Sequence, residues 1–145
     1  MEHLHAAQEW AGDQTKLEWF LFVGSAVFFQ ILYVLFGLVN KQGVKSKSCW
    51  ISHVHVFFTV PGACMYWLTQ SVEIWNTTWW FDGPPETDLS NWMRCTVAFS
   101  VGYFVNDLLL MLIDAEVGGM DMLLHHILCI GFWGGGLLDD VSYSL

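Results

Sequence analysis

Apolar residues in this chain gather into four long blocks separated by short polar stretches. The first block runs from about Trp19 to Val39 and is broken only by Gln30. A second, from about Trp50 to Leu68, carries His53, His55 and Pro61. The third extends from about Trp92 to Ile113, with Arg94 near its start and Asn106 and Asp107 within it. The fourth, Met122 to Leu138, reads MLLHHILCIGFWGGGLL and is short and glycine-rich. Each approaches the roughly 20 residues that a helix needs to cross a bilayer core. Strands are a poor alternative, because lipid leaves the open edge of a sheet unsatisfied. The pattern therefore predicts an all-α, polytopic transmembrane helix bundle. Residues 1–18 form a polar tail before it, and residues 19–145 form the membrane domain.

Composition supports this reading. Charged residues make up 13% of the 145 residues and hydrophobic ones 54%, against about 25% charged in an average soluble domain. A net charge of −9 argues against nucleic acid, whose binders present basic faces. The N-terminus lacks the basic segment and immediate apolar core of a secretory signal peptide, so the first block itself is expected to direct insertion. The cysteines, Cys49, Cys64, Cys95 and Cys129, show no metal-type spacing and read as buried thiols.

Charge also orients the bundle. The loop over residues 40–49 holds Lys41, Lys45 and Lys47 with no acid, which places it in the cytosol under the positive-inside rule. The loop over residues 69–91 then lies in the lumen or outside the cell. It contains the sequon Asn76-Thr77-Thr78, usable only on that side, so Asn76 is a candidate glycosylation site. Trp79, Trp80 and Phe81 suit the adjoining interface.

With this topology, depth follows from a rise of about 1.5 Å per residue. His53 and His55 lie about 5–8 Å inside the cytosolic boundary, Asp107 about 10 Å inside, and His125 and His126 about 6–8 Å inside. Polar groups from three helices thus share one leaflet, where each must find a partner or line a wet cavity. Asp107 can hold one imidazole in a fixed tautomer and satisfy both groups. Adjacent histidines point about 100° apart, so only one of His125 and His126 can face it. His125, His126 and Asp107 are the candidate catalytic residues, and His55 and Asn106 the candidate lipid-contacting ones. His53 and Arg94 are expected to snorkel toward headgroups, and His3 and His5 to be solvated. Zinc held by His55, His125 and Asp107 is a minor alternative; no metal and no cofactor is expected. Gly134-Gly135-Gly136 implies close helix approach or unwinding, and Pro61 a kink in the second helix.

Three segments carry a resemblance: Ile51-Ser-His-Val-His-Val-Phe-Phe, Gly102-Tyr-Phe-Val-Asn-Asp-Leu-Leu-Leu-Met-Leu and Met122-Leu-Leu-His-His-Ile-Leu. In order and spacing they resemble the TLC-domain family of membrane lipid proteins, over about Trp50 to Leu138. That family includes ceramide synthases, translocon-associated proteins and small TLC-domain proteins linked to membrane lipid composition. The resemblance implies that His125 and His126 match the histidine pair that is catalytic in ceramide synthases, which join an acyl-CoA to a sphingoid base. It also implies that His55 and Asp107 match residues of the smaller, non-synthase members. Gly131-Phe-Trp-Gly-Gly-Gly replaces the pattern that follows the pair in the synthases, and the family domain continues with further helices. A C-terminally incomplete domain is therefore expected. These likenesses imply a multi-pass protein that binds, senses or helps regulate membrane lipids, residing in the endoplasmic reticulum or, alternatively, the plasma membrane. An N-acyltransferase and a structural partner of other membrane proteins are the alternatives.

Overall fold

A computed structural model describes residues 2–39, 43–70, 88–114 and 116–137. Among them the chain forms α1 (Glu2–Val39), α2 (Val44–Gln70), α3 (Asp88–Ile113) and α4 (Met120–Cys129), the last running into a π-helical segment, Ile130–Gly134. Strands are absent among the described residues, and the fold is an all-α bundle. Lys16–Val39 of α1 and Trp92–Ile113 of α3 are long and apolar enough to cross a membrane. The second and fourth blocks, expected to be spans as well, are helical but are not among the segments that meet that standard. The reason is compositional. Lys, Ser and His residues dilute the start of α2, and α4 is short before its helix changes type.

The contacts set the directions of the helices. Glu18, near the start of the apolar span of α1, meets Arg94 near the start of that of α3, and Phe29 meets Phe99 and Tyr103 further along, so α1 and α3 run parallel. Ser48 and Ser52 of α2 reach Asp107 and Tyr103, while His126 of α4 reaches Asp107. Both α2 and α4 therefore run antiparallel to α3. α3 is the axis of the bundle, the element that every other helix touches.

Gly102 makes the α1–α3 approach possible. A Cβ there would collide with the Phe22 carbonyl and the Ser25 hydroxyl. Small residues allow helices in lipid to pack this closely, where dispersion and hydrogen bonds replace the hydrophobic drive. Above that contact, Phe29, Ile51 and Tyr103 form a fully buried aromatic and aliphatic centre, with Leu32, Phe36 and Phe99 against it. A smaller cluster of Leu110, Met111 and Val117 closes the other end of α3. Large apolar side chains such as Phe20, Leu38, Phe57, Ile113 and Phe132 remain exposed on the outside, as expected where the surrounding solvent is hydrocarbon.

The glycine triplet differs from expectation. The chain does not unwind there: it passes through the π segment and is helical again at residues 135–137. A Cβ at Gly134 would lie at an ordinary 3.7 Å from Val101, and at Gly135 or Gly136 it would meet nothing. The cysteines also depart from it, since Cys49 and Cys64 are exposed and all of Cys49, Cys64, Cys95 and Cys129 are free thiols.

Candidate functional site

α3 presents Tyr103 and Asp107 one helical turn apart, and Asp107 is 1% exposed. A carboxyl group at that burial must be satisfied from other helices. Ser48 of α2 donates its hydroxyl to Oδ1 at 3.2 Å. His126 of α4, also 1% exposed, brings Nε2 to 3.0 Å from Oδ2. The separation makes the two side chains partners, although their alignment falls short of a linear hydrogen bond. Nδ1 of the same ring lies 2.7 Å from the Met122 carbonyl. A carbonyl can only accept, so Nδ1 carries the hydrogen. That assignment has a chemical consequence. With Nδ1 protonated, Nε2 and Oδ2 confront each other as two acceptors unless one proton lies between them. A single proton placed between them would relieve that conflict.

Around this pair the ring system is dense. His55 is stacked on Tyr103 with centroids 4.1 Å apart and planes 14° apart, and Phe29 and Phe104 present their edges to it. Tyr103 Oη and Ser52 Oγ share a hydrogen bond of 2.7 Å. The His55 Nε2 atom and the Asn106 amide nitrogen are buried and lack a hydrogen-bond partner among the described residues.

The predicted site residues thus separate into groups. Asp107 and His126 meet directly, whereas His125 turns outward. His125 is exposed, its imidazole lies 3.6 Å from Cys129 Sγ, and its ring centroid is 5.5 Å from that of His126. His55 packs on Tyr103 rather than reaching Asp107. Asn106 is buried on α3. His53 bonds the Cys49 carbonyl at 2.7 Å in an exposed position, and Asn76 lies outside the described residues. No three His, Cys, Asp or Glu side chains converge on a common point among the described residues, so the arrangement of His55, His125 and Asp107 around zinc has no geometry here.

Sequence reasoning overlooked Ser48, Ser52 and Tyr103. Their signal was present: Ser48, Ser52 and His55 recur at i, i+4 and i+7, which lines one face of a helix. It also misjudged Arg94. Rather than snorkelling, its guanidinium grips the Glu18 carboxylate through Nε at 2.6 Å and Nη2 at 3.1 Å, and Glu18 is 5% exposed. This bidentate geometry matches the planar fork of arginine to a carboxylate.

Comparison with known proteins agrees with the motifs. A family model described as the TLC domain matches residues 45–143, which include α2, α3, α4 and the whole His126–Asp107–Ser48 cluster. No curated protein and no solved structure shows a significant match. The matched region covers well over half of the chain, and the protein belongs to the TLC-domain family of membrane proteins.

Proposed function

We propose that this protein binds membrane lipids and helps to regulate their composition, with the cluster of His126, Asp107 and Ser48 as its working site. The observation that carries the reading is the buried acid–imidazole contact at 3.0 Å. With the Ser48 hydroxyl it joins α2, α3 and α4 through buried polar side chains. A polar pair is expensive at such depth, and charged or polar groups inside membrane helices mark functional paths. Lipid handling is the trade of the family to which the chain belongs, and Asp107 matches the smaller, non-synthase members. The protein acts from the endoplasmic reticulum membrane, with residues 40–49 cytosolic and residues 69–91 lumenal. The test is lipid composition in cells expressing wild type, His126→Ala or Asp107→Asn at equal levels. A shift that depends on both residues supports the reading. Identical lipid profiles, and identical crosslinking to photoreactive lipids, would point instead to a structural partner of other membrane proteins.

A second reading has one observation in its favour. His125 is exposed and 5.5 Å, centroid to centroid, from the occupied His126 ring, with only the weak Cys129 thiol contact to give up, so it is accessible as base or transient acyl acceptor. This is the requirement of an N-acyltransferase that uses acyl-CoA and a sphingoid base. Acyl-CoA-dependent ceramide formation in synthase-null membranes tests it, and product that vanishes with His125→Ala would favour it over the non-catalytic reading.

A further inference from the structure

The face of α3 turned away from Asp107 carries a second site. Val101 and Val105 lie about 120° and 160° around the helix from Asp107, at about 100° per residue. They form one wall of a cavity of about 350 Å³ whose other walls are Trp19 and Phe22 of α1 and Gly131 of the π segment, with Glu18 at one end. Such a volume falls within the range of small-molecule sites, about 300–1,000 Å³, and equals roughly a dozen groups of about 30 Å³ each. Apart from Glu18, the lining is apolar or glycine.

Three observations decide what occupies it. First, two of its walls come from α1 and α3, the two helices able to span a membrane, and the third from residues 130–137. The medium at its opening is therefore hydrocarbon, and an apolar cavity of this size is filled by hydrocarbon rather than by water. Second, the cavity has a polar end. Glu18 lines it and pairs with Arg94 near the starts of both spans, while its lining covers Val101–Val105 of α3 and Ile130–Leu137, about 6 Å and 10 Å at about 1.5 Å per residue. Third, the missing side chains at Gly131 and Gly135 make the space: a Cβ at either position would touch nothing within 4 Å. We infer that this cavity seats one acyl chain of a zwitterionic phospholipid, drawn from the leaflet at the Glu18–Arg94 end. Glu18 and Arg94 satisfy each other there, so the headgroup meets an ion pair of no net charge, which suits a zwitterion. The net charge of −9 disfavours an anionic headgroup. None of its lining residues belongs to the His126–Asp107–Ser48 cluster, so the site is separate from the one to which the proposed function is assigned.

The test uses the full chain, purified in detergent micelles and titrated with phosphatidylcholine carrying a diazirine in one acyl chain. After illumination, peptide mapping should place label on α1 around Trp19–Phe22 and on the stretch Ile130–Gly135. That label should saturate with added probe, whereas label at Phe57 and Leu112, exposed on the outer surface, should rise in proportion to it. Gly131→Leu, which fills the open space, should cut the saturable label at least fivefold and leave label at Phe57 unchanged. Gly135→Leu serves as the second variant, with helical circular dichroism and monodispersity reporting folding. His126→Ala should leave the cavity label intact even if it abolishes an effect on lipid composition. The assignment is overturned by wild-type label that never saturates at these peptides, by label indifferent to both leucine variants, or by a photocrosslinker at Val105 that captures residues 138–145 of the chain instead of lipid. Equal saturation by phosphatidylglycerol would overturn the headgroup choice.

Discussion

Replacing Asp107 offers the sharpest test of the shared proton, because two substitutions of similar size predict different outcomes. In Asp107→Asn the amide NH₂ can donate to His126 Nε2, and the amide oxygen can accept from Ser48. Both contacts survive with no proton to share. The loss should then resemble that of an ordinary interhelical hydrogen bond in a membrane, about 0.6 kcal/mol and at most about 1.7. Asp107→Ala leaves Nε2, on a ring 1% exposed, facing an empty space, and deprives the Ser48 hydroxyl of its acceptor at 3.2 Å. A buried group left unsatisfied costs about 1–3 kcal/mol, and two such groups with the small void they border should cost about 2–3 kcal/mol together. That cost lowers the folded-to-unfolded ratio about thirty- to 140-fold, at 1.4 kcal/mol per factor of ten. Reversible unfolding in mixed micelles, titrated with a denaturing detergent and followed by circular dichroism, measures it. A cycle with His126→Ala should show coupling, the double variant being less destabilised than the sum of the single ones. Equal costs for Asn and Ala, or strict additivity in the cycle, would refute the shared-proton geometry.

Three further outcomes follow from other contacts. Gly102→Ala forces a methyl group into the Phe22 carbonyl and the Ser25 hydroxyl; overpacking of this kind costs about 1–3 kcal/mol, visible as a lowered unfolding midpoint. Arg94→Ala strands a carboxylate that is 5% exposed and should cost about 3 kcal/mol, whereas Glu18→Gln leaves a half-exposed guanidinium that water can reach and should cost less in the same assay. Asn76→Gln should abolish a glycosidase-sensitive mobility shift if residues 69–91 are lumenal; a wild-type protein with no such shift in cells would reverse the proposed orientation.

The helical class and the apolar spans within α1 and α3 could be read from hydropathy, because long apolar runs leave the backbone no other way to satisfy itself in lipid; the helices themselves begin earlier, at Glu2 and Asp88, where the sequence is too polar for hydropathy to mark them. Asp107 and His126 could be paired on paper for a related reason: two costly groups at one depth point to each other. The direction of His125 could not be settled so simply, since a 100° step tells which residues diverge but not which one faces inward. Ser48 escaped notice because a serine near a helix start is unremarkable until its acceptor is known. The Glu18–Arg94 pair was missed because both residues sit at the edge of their apolar blocks, where solvent is the default partner. Only the parallel arrangement of α1 and α3 brings them together, and that depends on the close approach at Gly102.

The same pair bears on how the chain is made. Glu18 and Arg94 are separated by 76 residues, so α1 is delivered to the membrane well before its partner cation has been synthesised. The register of α1 against α3 at this pair is therefore set only after the second span exists.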